Sequence, residues 1–137
     1  MAAPSDEIRA WLQKAYHDLL AARVLMRQRL PIYDMVCFHC QQAVEKALKA
    51  LLLWKNIPFR RVHSLGYLLD LSEPVSYRLR GLRDRIEALA PYAVEVRYPG
   101  DLLAVSREEA RAALKTAEAV WKVIMETMPV EFHPEEG

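Results

Sequence analysis

The chain has 137 residues, the size of one ordinary domain and enough to bury a core without disulfides or metals. Apolar residues make up 53% and charged residues 27%, which excludes a disordered chain. The net charge of +1 argues neither for nor against a nucleic-acid partner, although six of the 13 arginines fall between Arg60 and Arg85. Such a concentration makes either a local basic surface or a solvated helix face.

Met1 leads directly into a polar, acidic start, so no signal peptide is read. The apolar stretches are too short to span a bilayer, and two cysteines are too few for a secreted disulfide framework. The cytoplasm is the expected compartment, with no membrane partner.

The helical period dominates the whole sequence. A first helix is expected from about Asp6 to Arg29, capped by Ser5, with Ile8, Trp11, Leu12, Ala15, Leu19, Ala22 and Met26 inward. Pro31 ends that segment. A second helix is expected from about Tyr33 to Lys55. It is apolar over so wide an arc that it belongs at the centre of a bundle. One polar strip interrupts the arc: His39, Gln42, Lys46 and Lys49, flanked by Gln41 and Glu45. A short helix is expected over Ser64–Leu71 and another over Ser76–Ala90. A non-helical stretch then holds Arg97-Tyr98-Pro99-Gly100. Ser106 and Glu109 form a capping box that opens the last helix, and Pro129 closes it. The implied architecture is all-α: a helical bundle of four main helices plus one short helix, in a single domain. Its core covers about residues 6–128, and residues 129–137 form a loose acidic tail.

Several motifs invite chemistry. Cys37 and Cys40 have CxxC spacing, but a structural zinc site needs about four ligands and no second pair exists, so they are read as core thiols and no metal site is assigned. No nucleophile elbow, P-loop or dinucleotide fingerprint occurs, so no catalytic residue is assigned. Lys46 and Lys49 can reach phosphates and Gln42 can bond a base; the alternatives are a solvated face or a buried polar network. Arg97 can fork onto phosphate or carboxylate, and Tyr98 can stack. His63 can act as a base or simply pack at a helix start.

Gln41-Gln42-Ala43-Val44-Glu45-Lys46-Ala47-Leu48-Lys49-Ala50-Leu51-Leu52 resembles the signature helix of the HEPN domain family. Trp11 with Ala15, Asp18 and Ala22, then His63-Ser64-Leu65, then Arg97-Tyr98-Pro99 resemble further family elements, in order. The resemblance extends from about Asp6 to Met128. It implies an up-and-down helical bundle and a cytoplasmic prokaryotic protein, usually a homodimer, paired with a minimal nucleotidyltransferase in a toxin–antitoxin-like arrangement. It also implies nucleotide binding. Many members are instead metal-independent ribonucleases with an Arg, four to six residues, then a His. That spacing is absent here: seven residues separate Arg9 from His17 and nine separate Arg29 from His39, while Arg60 and Arg61 lie too close to His63.

Three functions follow as expectations. The first is a non-catalytic nucleotide-binding and protein-binding module with no required cofactor beyond a bound nucleotide such as ATP. Its site residues would be Gln42, Lys46, Lys49, His63, Arg97 and Tyr98. The second is a ribonuclease toxin acting outside the usual motif, with His63 as general base and Arg60 or Arg61 on the phosphate; RNA is the less favoured partner. The third is a dimerisation scaffold without a ligand.

Overall fold

The computed structural model describes residues 5–30, 32–93 and 104–135. These residues form five α-helices: α1 (Ser5–Met26), α2 (Tyr33–Trp54), α3 (Leu65–Ser72), α4 (Arg83–Glu87) and α5 (Arg107–Thr127). Among the described residues there is no strand. The protein is an all-α helical bundle.

Helix α2 is the hub. It packs most extensively on α1, then on α5, and also touches α3 and the 3-10 turn Ala90–Ala93. Its composition explains the position. Between Met35 and Trp54 no residue is fully exposed, and Cys37, Cys40, Leu48, Leu51 and Leu52 are completely buried. Helix α1 contributes Leu12, Ala15, Leu19 and Ala22, and α5 contributes Ala110, Val120 and Ile124.

The ends of the helices follow local chemistry. Ser64 and Ser106 each accept a hydrogen bond from the backbone N–H three residues on, satisfying one of the first-turn donors of α3 and α5. Helix α2 ends in a Schellman turn: Ile57 N–H donates to Leu52 C=O and Asn56 N–H to Leu53 C=O, with Asn56 at φ 57°. This turn reverses the chain into the loop 57–63. Helix α1 stops at Met26 rather than Arg29. Arg27 and Gln28 bond three residues back, a 3-10 tightening as the chain approaches Pro31.

Two expectations are corrected. The helix expected over Ser76–Ala90 is broken into a 3-10 turn (Tyr77–Leu82) and the five-residue α4. Of the four leucine and isoleucine residues expected inward there, Leu79, Ile86 and Leu89 are buried and Leu82 is only partly so. Gly81 weakens any α-helix there, and spacing of three between Leu79 and Leu82 suits the 3-10 period equally well. The tail after Pro129, expected to be loose, is docked as far as it is described. Phe132 is buried under the Arg9 guanidinium, 5.5 Å from its carbon, and Arg9 Nε donates to Glu131 C=O. An aromatic side chain between Glu131 and His133 gave no periodic signal of that burial.

Candidate functional site

The polar strip of α2 does not lie in open solvent. It divides into two networks, each built on a carboxylate. In the first, Asp18 of α1 accepts from Lys46 Nζ at 2.6 Å and pairs with His39 Nδ1 at 2.8 Å. In the second, Glu45 takes three partners. Oε1 accepts from Gln41 Nε2 at 3.1 Å, while Oε2 faces Lys49 Nζ at 3.0 Å and His63 Nδ1 at 2.9 Å. Gln42 Nε2 completes this chain by donating to Gln41 Oε1 at 2.6 Å.

Both carboxylates remain ionised despite their surroundings. Burial acts to raise the Glu45 pKa, but the hydrogen bonds from His63, Gln41 and Lys49, with the Lys49 charge, outweigh it and hold Glu45 below the ordinary carboxylate value. Burial likewise opposes ionisation of Asp18, and the bonds from His39 and Lys46 overcome it. An ionised carboxylate only accepts, so His63 Nδ1 carries the hydrogen and Nε2 is the ring nitrogen left for other work.

The Asp18 network is partly covered throughout, whereas the Glu45 network runs from buried to open. The Glu45 and Lys49 side chains are 3% and 7% exposed, whereas the His63 side chain is 77% exposed. His63 thus sits at the mouth of the buried pair. It opens on a cleft of about 890 Å³ whose lining includes Trp11, Lys49, Phe59, Arg61 and His63. The Schellman turn at Asn56 positions one wall, through Ile57, Pro58 and Phe59. Lys49 Nζ lies 5.4 Å from the centre of the Trp11 ring, a cation–π contact that fixes the floor. Arg60 is directed elsewhere: its guanidinium stacks 4.7 Å over Tyr67 and its N–H donates to the Tyr67 hydroxyl. Of the two adjacent arginines, Arg61 is the one that faces the cleft. The combination of aromatic walls with a guanidinium and an oriented imidazole suits a ligand that has a flat apolar part and an anionic part.

Of the residues expected from sequence, Lys49 and His63 line this cleft. Gln42 and Lys46 are half-buried along the α1–α2 groove and spend their donors on Gln41 and Asp18. Arg97 and Tyr98 lie outside the described residues. Trp11 and Phe59 were not among the expected site residues. Trp11 falls on the inward stripe of α1, and helical periodicity does not show that one edge of its ring reaches the surface. Cys37 and Cys40 are buried, unbridged thiols, and burial pushes the Cys40 thiol strongly up, which makes it inert. His39 turns to Asp18, away from them.

The HEPN domain model matches residues 8–128, from the start of the α1 core to the end of α5. The chain belongs to the HEPN family. A curated relative, "Putative toxin MJ1304" of Methanocaldococcus jannaschii, is 30% identical over 136 residues, covering 89% of this chain and 88% of that protein. The crystal structure of TT1696 from Thermus thermophilus superposes on this HEPN chain with a TM-score of 0.74 at 33% identity, over 88% of this chain and 98% of that one. The matched span includes every described element of the cleft from Trp11 to His63. No helix among the described residues is long and apolar enough to cross a membrane.

Proposed function

We propose that this HEPN protein is a nucleotide-binding and protein-binding module of a toxin–antitoxin-type pair, with the Trp11–His63 cleft as its ligand site. The observation that carries the proposal is the convergence in one cleft of Trp11, Phe59, Arg61 and a His63 ring oriented by a buried carboxylate. The purine would lie against the aromatic walls and the phosphates against Arg61 and His63 Nε2. Lys49, already paired with Glu45, would add its field rather than a direct contact. The toxin-like relative supports the pairing, and the family resemblance names a minimal nucleotidyltransferase as the partner and a cytoplasmic homodimer as the form.

Calorimetric titration of ATP, with and without magnesium, tests the binding half. Saturable binding is expected, and Arg61→Ala should weaken it by on the order of tenfold, the loss of one charge-assisted contact. No heat at millimolar nucleotide overturns it. Co-expression with a small nucleotidyltransferase tests the partner half, and failure of the two to co-purify counts against it.

A second reading has its own observation. A histidine whose Nδ1 is held by a carboxylate, with Nε2 free toward a cleft, is the arrangement of a general base. Under this reading the protein is a ribonuclease toxin with His63 as base and Arg61 steadying the phosphate. Growth arrest on expression, relieved by His63→Ala, supports it; harmless expression with intact RNA overturns it.

A further inference from the structure

The outer face of α5 carries an unpaired cationic strip. Arg107, Arg111, Lys115 and Lys122 follow at steps of four, four and seven residues. On a helix of 3.6 residues per turn these steps confine them to a strip about 80° wide. All four are exposed, and none has an ion-pair partner among the described residues. Glu118 lies inside the strip, but both of its oxygens are held by Arg23, at 2.6 and 2.8 Å. Glu126, on the border, faces Arg78 at 3.4 and 3.5 Å. Glu108, on the same border, is the remaining carboxylate. The acidic members of this face are thus largely neutralised from other elements, while the cations are left to solvent.

Part of the strip borders a groove of about 510 Å³ between the end of α1 and α5, with Met26 and Leu114 as its apolar lining and Arg107, Arg111 and Lys115 on its rim. We propose that this face binds the phosphate backbone of a single-stranded nucleic acid. Arg107, Arg111 and Lys115 are separated by about 6 Å each along the helix axis and Lys122 lies about 10 Å further on, steps of the order of the repeat of a nucleic-acid backbone charge. Two of the four are arginines, which fork onto phosphate oxygens. The described lining of the groove holds no aromatic side chain, so the contact proposed is to the phosphates and not to stacked bases. The site is separate from the cleft: Met26 and Trp11 stand about 22 Å apart along α1. It therefore stands or falls independently of the nucleotide proposal.

Fluorescence anisotropy with a short labelled oligouridylate, at rising salt, tests it. Four contacts to a single strand predict a slope of log K against log salt near about −3, at roughly −0.7 per contact. The double variant Arg111→Glu/Lys115→Glu should lose on the order of tenfold or more in affinity and flatten that slope, whereas Lys14→Gln, an exposed cation of α1 outside both sites, should leave both unchanged. Both substituted side chains are exposed, and far-UV circular dichroism checks the fold; Arg111→Gln/Lys115→Gln serves if the glutamates perturb it. Absence of binding at low salt, or equal binding by the variants, overturns the proposal. Stronger competition by polyglutamate than by unlabelled oligonucleotide also overturns it and assigns the face to an acidic protein.

Discussion

Glu45 and Lys49 form the most consequential contact at the scale of single residues. Two opposite charges out of water depend on each other, and removing one leaves the other uncompensated. Lys49→Ala should therefore cost about 3 kcal/mol, the low end for a buried pair because Gln41 and His63 still serve the carboxylate. Lys46→Ala, at a quarter-exposed position beside Asp18, should cost only about 1 kcal/mol. Chemical denaturation of the two variants measures the difference, and equal costs would mean that the Glu45 network is not buried in solution. The same carboxylates set an acid limit. Both Glu45 and Asp18 have folded values below their ordinary 4.5 and 3.8, so the unfolded chain binds protons first as pH falls. Their stabilisation is complete above about pH 5 and is lost as pH drops through the lowered folded values. Melting temperature should fall steeply below that point, and Glu45→Gln should show a shallower slope over the same range from a lower starting temperature.

Element ends are where local sequence acts most directly. Asn56 holds a left-handed backbone, a conformation that costs an alanine roughly 1–2 kcal/mol and glycine almost nothing. Asn56→Ala should lower stability by about 1 kcal/mol, while Asn56→Gly should stay within a few tenths. The turn also carries Ile57–Phe59, so the alanine variant should weaken any cleft ligand as well. Gly81 is the opposite case. A Cβ there would meet nothing within 4 Å and its φ is not positive, so Gly81→Ala should stabilise by about 0.5–1 kcal/mol through the unfolded chain. Thermal melts of the three variants check the order. At this scale the sequence was highly legible. The Ser106 cap, Pro31 and Pro129, and the apolar stripes of α1, α2 and α5 placed the three long helices to within a few residues, although Ser5 is the first residue of α1 and not a cap before it. The broken segment 77–87 was not legible, because a three-residue apolar step fits α and 3-10 geometry alike.

For the whole molecule, three long helices and the docked tail close one core around α2. Deleting residues 130–137 uncovers the Phe132 site beneath Arg9, and loss of one buried aromatic should cost about 1.5–3 kcal/mol. An unchanged unfolding midpoint after that truncation would show that the tail is not part of the folded unit. The amino-acid sequence by itself determined the fold class, the order of the helices and the identity of the core helix, because periodicity and caps are local properties of the chain. It also supplied the family signature in α2. Only the tertiary structure decided which polar residues of that helix are free. Their partners come from 28 residues upstream for Lys46 and 18 residues downstream for Glu45, and helical spacing shows which way a side chain faces but not what meets it there. For that reason a strip whose spacing fits phosphate-binding lysines, a solvated face or a buried polar network alike is, once folded, a pair of carboxylate networks with His63 as the exposed end of one of them.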